Sequence, residues 1–327
     1  MSETNVSETK PDSGICQEHD ETETGWRGRL RAAGRRLRAN ACLLKANLGR
    51  RNGRARRTSD PLPPGHRPQD LLAILLLTVG IAVIALDRAS YPWIHAMPRE
   101  YTAFFRAITD IGKSHWILWT TGLFLLGTMT IDWRHVSWRT RKAMTLVWTY
   151  CAFIFFTVAA SGVIALVLKW CLGRPRPKLF ETVGPLGFDF LAFNISYTSF
   201  PSGHATSVAA LAASLCLIFP SWLWLIAVCG FWLIFSRIMV GAHYPSDVIA
   251  GTLLGISVVL WTARYMAVRR LGFAIVPGKG IRPIASGRSL GRALSTLGRA
   301  AVRAGARKEA RLAPSRPKDN ETHSDDR

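Results

Sequence analysis

Six stretches of this chain are nearly free of charged residues, at about 71–86, 116–131, 145–168, 204–219, 222–238 and 246–266. Several approach the roughly twenty residues that carry a helix across a bilayer, and inside hydrocarbon a helix is the element that satisfies its own backbone. The expected fold is therefore all-α, a six-helix transmembrane bundle over residues 69–268. The run at 204–219 is short, and it either extends back through Thr198 to Phe200 or tilts. Trp93, Trp116, Trp119, Trp133, Trp138, Trp222, Trp224 and Trp261 fall near the proposed helix ends, where interfacial aromatics collect.

Charge sets the orientation. The chain carries 42 Lys and Arg against 21 Asp and Glu, a net +21, and the excess sits in the ends and in short loops. The leader, the loop with Arg134, Arg139, Arg141 and Lys142, and the tail from Arg264 onward are basic, which predicts that they are cytoplasmic. Both termini are then cytoplasmic in an inner, multi-pass cell-membrane protein, and the segments 87–115, 169–203 and 239–245 face the periplasm or exterior.

The two ends read differently from the middle. Residues 1–24 are acidic and polar, too poor in apolar residues to offset the entropy of ordering. Apolar positions then recur at helical spacing from Trp26 to Leu48 among many arginines, predicting a basic amphipathic helix over 26–48 that suits anionic headgroups. Residues 50–67 read as linker, which closes a leader over 1–68. The tail, 269–327, reads as a basic, flexible appendage with a weak surface helix around Leu290, Leu294 and Leu297. No zinc-finger spacing, aromatic RNA-binding motif or basic zipper accompanies these charges, so nucleic acid is not the expected partner. Six scattered cysteines without CxxC spacing argue against a zinc site or a disulfide framework.

Three polar clusters stand where apolar runs begin or end, and the predicted topology brings all of them to the outer face. They are KWCLGRPRP from Lys169 to Pro177, PSGH from Pro201 to His204, and SRIMVGAHYPSD from Ser236 to Asp247. Ionisable residues at a membrane boundary are candidate functional residues by default. Fixed cations at Lys169, Arg176 and Arg237 match phosphate oxygens, whereas Arg174 fits an arginine snorkelling to headgroups. PSGH opens a helix whose free N–H groups favour an anion. Ser202 there is either a phosphate donor or an ordinary helix cap, Gly203 lets the backbone approach closely, and His204 carries a proton that moves near neutral pH. With a helix starting near Pro245, Asp247 can turn back to hold one nitrogen of His243 and leave the other free as nucleophile or base. Two histidines can divide phosphoryl transfer, one attacking phosphorus while the other protonates the leaving oxygen and then activates water. Asp110, Glu181 and Asp189 are isolated, so the sequence offers no metal site, and no cofactor is expected.

Together the clusters resemble the motifs of the type 2 phosphatidic acid phosphatase (PAP2) superfamily, KX6RP, PSGH and SRX5HX3D, complete and in order over about residues 70–266. The resemblance implies an integral membrane lipid phosphatase with a phosphohistidine intermediate. It makes His243 the nucleophile, Asp247 its orienting carboxylate and His204 the general acid and then base. Lys169, Arg176, Ser202, Gly203 and Arg237 hold the phosphate. Candidate substrates are phosphatidylglycerophosphate, phosphatidic acid, polyprenyl diphosphate and lipid A. Phe180, Phe188, Phe190, Phe193, Tyr197 and Phe200, in the outer loop, are a candidate apolar lip for a lipid tail. Two other classes remain open at this level. One is an idle phosphate-binding membrane protein with partner-recruiting tails; the other is a transporter, for which inverted repeats and mid-membrane helix breaks are lacking.

Overall fold

The computed structural model describes residues 26–53, 67–191, 193–285 and 287–312. In chain order the helices are α1 (Trp26–Gly53), α2 (Pro68–Ala85), α3 (Asp87–His95), α4 (Arg99–Ile111), α5 (Ser114–Met129), α6 (Trp138–Leu172), α7 (Phe180–Val183), α8 (Gly203–Ile218), α9 (Leu223–Met239) and α10 (Pro245–Val268). A hairpin of β1 (Phe273–Val276) and β2 (Gly280–Pro283) follows, then α11 (Gly287–Leu312). Start signals are written locally: Pro68 and Pro245 occupy the first turns of α2 and α10, where a missing N–H costs nothing. Ser137 caps α6 by accepting the Thr140 N–H.

Four of these helices, α2, α6, α9 and α10, are long and apolar enough to cross a membrane. The other two expected spans, α5 and α8, are 16 residues each and pack within the same bundle. Half of the α10 span is buried in the protein against 6% of the α2 span, so α10 is the central helix and α2 lies at the periphery. Glycine makes α10 central: a Cβ on Gly251 would lie 2.9 Å from Thr206 Oγ1, and one on Gly255 would lie 3.0 Å from the Ala210 nitrogen. Small residues let two helices close to backbone contact where lipid supplies no hydrophobic drive between them. The α6–α8 seam adds a buried hydroxyl pair, Thr157 Oγ1 to Ser214 Oγ at 3.1 Å.

One end of the bundle gathers the starts of α8 and α10 and the ends of α6 and α9. The other gathers the basic loop after α5, the end of α10 and α1. Asn40 of α1 donates to the Met129 and Ile131 carbonyls at 2.7 and 3.1 Å, and Arg51 donates to the Arg270 carbonyl at 2.8 Å, so α1 braces that second end. It runs to Gly53, five residues beyond the expected stop.

The segment 87–115 carries α3 and α4. One expectation changes: the tail is not an appendage at its start. Phe273 is fully buried against Tyr150 and Phe153 of α6, and Leu290 and Ala293 of α11 join the same core. The short apolar strand FAIV finds a wall on α6 and α10, so the packed unit extends past residue 268. The expectations for residues 1–24, for most of the 50–67 linker and for the acidic C-terminal residues lie outside the described residues.

Candidate active site

Every sequence-nominated residue stands at the first end of the bundle. Lys169 is in the last turn of α6, which ends at Gly173 in the left-handed region, φ +56°. The Asp189 N–H donates to the Gly173 carbonyl at 2.8 Å, and a side chain at Gly173 would collide with the Asp189 carbonyl. A glycine here therefore lets the chain leave the helix and fold back over residues 174–189. The Lys169 ammonium lies beside Gly203, 3.6 Å from where a Cβ would stand, and interacts electrostatically with Arg176, Asp247 and Arg237. Ser202 is fully buried and caps α8, its Oγ accepting the Ala205 N–H at 3.4 Å, which leaves the O–H itself able to donate.

Arg176 and Arg237 are poised but not saturated. One Arg176 Nη donates to Thr198 Oγ1 at 3.3 Å and one Arg237 Nη to Thr109 Oγ1 at 3.2 Å, while the Nε of each is buried without a protein partner. Among the described residues neither they nor Lys169 form an ion pair. Three converging cations with unspent donors at a helix start have the charge and geometry that suit an anion.

Arg174 departs from the expected snorkelling. It is fully buried, and all three of its nitrogens are engaged. Its Nη1 donates to Asp247 Oδ1 and Ser246 Oγ, each at 2.6 Å, its Nη2 to Asp87 Oδ2 at 2.6 Å, and its Nε to the Pro185 carbonyl at 3.0 Å. The rings of Tyr244, Phe188 and Phe200 surround the guanidinium at 4.7, 5.8 and 6.0 Å. Two carboxylates within the protein outcompete headgroups outside it, because a buried guanidinium needs its fork filled. Phe200 is half-buried, and Phe180 stacks on Tyr91. From the candidate lip, Phe188, Phe190 and Phe193 stay exposed.

Asp247 stands in the first turn of α10, as expected from Pro245. Its Oδ2 accepts from Ser199 Oγ at 2.6 Å and from the Tyr244 N–H at 2.9 Å, and lies 3.6 Å from His243 Nδ1. Carboxylate and imidazole therefore face each other at slightly more than hydrogen-bond length. His243 is itself buried, in the tight turn after α9 that Gly241 makes at φ +67°. Burial pushes its imidazole down to about 4, with Asp247 opposing the shift, so the ring is neutral at physiological pH.

His204, in the first turn of α8, presents Nε2 to Thr109 Oγ1 at 3.4 Å, and it interacts electrostatically with Arg237 and His243. The turn from α4 to α5 closes on it: a Cβ at Gly112 would lie 2.6 Å from His204 Nε2. Beside His243 opens a cavity of about 420 Å³, whose hydrogen-bonding walls are Ser90, Tyr91, His95, Thr102 and Lys178.

Five contributors were not nominated from the sequence: Asp87, Thr109, Gly112, Ser199 and Ser246. Asp87 carried a signal, as a lone acid ending the first apolar run.

Comparison with known proteins gives a consistent picture. Residues 148–271 match the family model described as PAP2 superfamily. Over 225 residues the chain is 34% identical to a lipid A 1-phosphatase of Rhizobium johnstonii, covering 68% of this chain and 91% of that one. It is 37% identical over 215 residues to a lipid A 1-phosphatase of Rhizobium etli, covering 65% and 91%. An undecaprenyl-diphosphatase of Sulfolobus acidocaldarius is 37% identical over 127 residues, covering 37% of this chain and 60% of that protein.

Proposed function

This chain belongs to the PAP2 superfamily, and from that membership we propose that it is a multi-pass membrane lipid phosphatase working through a phosphohistidine at His243. The observation that carries this is the convergence of three cations without ion-pair partners on two histidines, one of which faces a buried carboxylate at 3.6 Å. Lys169, Arg176 and Arg237 hold the phosphate oxygens together with Ser202, Gly203 and the N–H groups that open α8. The neutral His243 attacks phosphorus through Nε2. The bond to the leaving oxygen breaks, and His204 gives that oxygen its proton. Asp247 holds Nδ1 and stabilises the charge that grows on the ring. His204 then takes a proton from water, whose oxygen displaces the histidine and releases inorganic phosphate. The cations supply the charge neutralisation that a metal would, so the reaction is metal-independent and needs no cofactor.

For substrate we propose the glycosyl phosphate of a lipid A-type headgroup. The matched lipid A 1-phosphatases are covered over 91% of their length, and the cavity offers, besides His243 and Tyr244, five hydrogen-bonding side chains to a hydroxyl-rich headgroup. The shorter match to a diphosphatase keeps polyprenyl diphosphate as the second reading.

Six membrane crossings, α2, α5, α6, α8, α9 and α10, give the bundle. Residues 69–268 supply the phosphatase machinery, and the hairpin and the start of α11 pack against it. Arg134, Arg139, Arg141, Lys142, Arg269 and Arg270 at the end opposite the site support a cytoplasmic location for that end in the inner membrane, and an outward-facing site. α1, with its arginines and its exposed Trp26, Leu30 and Leu37, suits an anionic leaflet.

Purified protein in detergent with EDTA, offered lipid A and undecaprenyl diphosphate separately, tests substrate and mechanism together. The expected result is phosphate release from lipid A, abolished in His243→Ala and His204→Ala. Unaltered release in His243→Ala overturns the mechanism, and a preference for the diphosphate overturns the substrate.

A further inference from the structure

A fully paired carboxylate near the site, Asp87, lies outside all three motifs. Its Oδ2 accepts from Arg174 Nη2 and from Ser246 Oγ, both at 2.6 Å, and its Oδ1 accepts the Ser246 N–H at 3.0 Å. It has no exposed surface, and neither do Ser246, Arg174 and Asp247. Asp87 opens α3, directly after the first apolar run, and sends its carboxylate to the start of the central helix α10.

We propose that Asp87 is a positioning residue for phosphoryl transfer: through Arg174 and Ser246 it fixes the rotamer of Asp247 and leaves that carboxylate its charge to act on His243. This rests on the mechanism above. Consider Arg174 without Asp87. The guanidinium would bind Asp247 as a neutral pair, and its field would cancel most of what the carboxylate offers the imidazole. One fork of a buried arginine would also be unfilled, an uncompensated donor that tends to pull its partners out of place. With Asp87 present, two carboxylates share one guanidinium, and the cluster keeps a net negative charge.

Position follows the same logic. Asp247 is held by Arg174 on Oδ1, and by Ser199 and the Tyr244 N–H on Oδ2. None of these bonds involves His243, so the carboxylate is set before the ring meets it. Ser246 couples the two acids, accepting from Arg174 and donating to Asp87 with one hydroxyl. The charged and titratable groups facing His243 are Asp247 from α10, Lys169 from α6, Arg237 from α9 and His204 from α8. Only Asp247 among them favours a positive ring. Anything that mutes Asp247 therefore falls directly on the step in which the ring gains charge.

The test is Asp87→Asn, which keeps the shape and, through its one carbonyl oxygen, the bonds from Arg174 Nη2 and Ser246 Oγ, gives up the bond from the Ser246 N–H, and makes the cluster neutral. Groups that hold a functional side chain in place are worth roughly 10- to 100-fold in activity, so kcat should fall by that factor. KM for the lipid and the inhibition constant of inorganic phosphate should stay within about threefold, because Lys169, Arg176 and Arg237 are untouched. An unchanged kcat overturns the proposal. So does a parallel loss of kcat, phosphate affinity and thermal midpoint, which would make Asp87 a structural prop. If Asp87→Asn does not fold, Ser246→Ala keeps both charges and removes the shared hydroxyl. The same split, at roughly tenfold, is then expected, and its absence overturns the proposal. His243→Ala run in parallel separates the failures: activity there sinks the mechanism, whereas a dead His243→Ala beside a normal Asp87→Asn sinks only this inference.

Discussion

Replacing Gly112 by alanine adds one methyl group and should cost most of the activity. The backbone there is ordinary, φ −81° and ψ 8°, so alanine meets no conformational strain and the effect is steric. The new Cβ would lie 2.6 Å from His204 Nε2, 2.7 Å from its Cε1 and 2.8 Å from Val208 Cγ2. Non-bonded carbons rest at about 3.5–4.0 Å, so the contacts must open by roughly 1 Å. α8 cannot retreat, because its other side is in backbone contact with α10 at Gly251 and Gly255. The imidazole moves instead. A displacement of about 1 Å in a group that must reach the leaving oxygen costs on the order of 100-fold, and overpacking adds about 1–3 kcal/mol of destabilisation. Phosphate release by purified protein in detergent should show kcat down by that factor and KM little changed. Gly127→Ala, with nothing within 4 Å of its Cβ, is the matched control and should behave as wild type. Activity of Gly112→Ala within about threefold of wild type would refute the placement of His204 against this turn.

pH dependence follows from His243. Its imidazole is lowered from 6.5 to about 4 by burial, so between those values the unfolded chain binds a proton that the folded chain does not. Stability is thus complete above the unfolded value and is lost as pH falls through this window, by roughly 3 kcal/mol in all. The neutral nucleophile likewise persists down to that range, so the acid limb of kcat/KM should lie near 4; a limb near 6.5 would mean that the ring is solvated rather than buried. Phe273→Ala should lower the thermal midpoint, since emptying a buried phenylalanine site costs about 3–5 kcal/mol, while KM is unchanged. An unaltered midpoint would return the hairpin to the exterior of the fold.

The chemistry of this chain was more legible than its scaffold. Lys169, Arg176, His204, Arg237, His243 and Asp247 stand out because ionisable residues at the ends of apolar runs are expensive, and the topology aligned them before any coordinates did. Arg174 was misread because an arginine two residues from another at a helix end has the same spacing whether it reaches headgroups or carboxylates. Its partners, Asp87 and Asp247, are 87 and 73 residues away. Thr109 and Gly112 were invisible for a similar reason: the α4–α5 turn matters only because it packs on α8, and nothing local announces that. The β-hairpin was legible and missed. Gly278 and Gly280, both at positive φ, flank Lys279 after Pro277, and the short apolar run FAIV precedes them, yet the basic charge of the tail dominated its reading.

The central claim is a phosphate carried on His243, and trapping it is the most direct test. Protein mixed briefly with a radiophosphate-labelled aryl phosphate, whose leaving group departs without a general acid, is quenched in alkali, where phosphohistidine survives, and the label is mapped by mass spectrometry. The mechanism predicts phosphate on the His243 imidazole, accumulating in His204→Ala because hydrolysis of the intermediate needs that base. Turnover with no label on His243, or label on another residue, would contradict it.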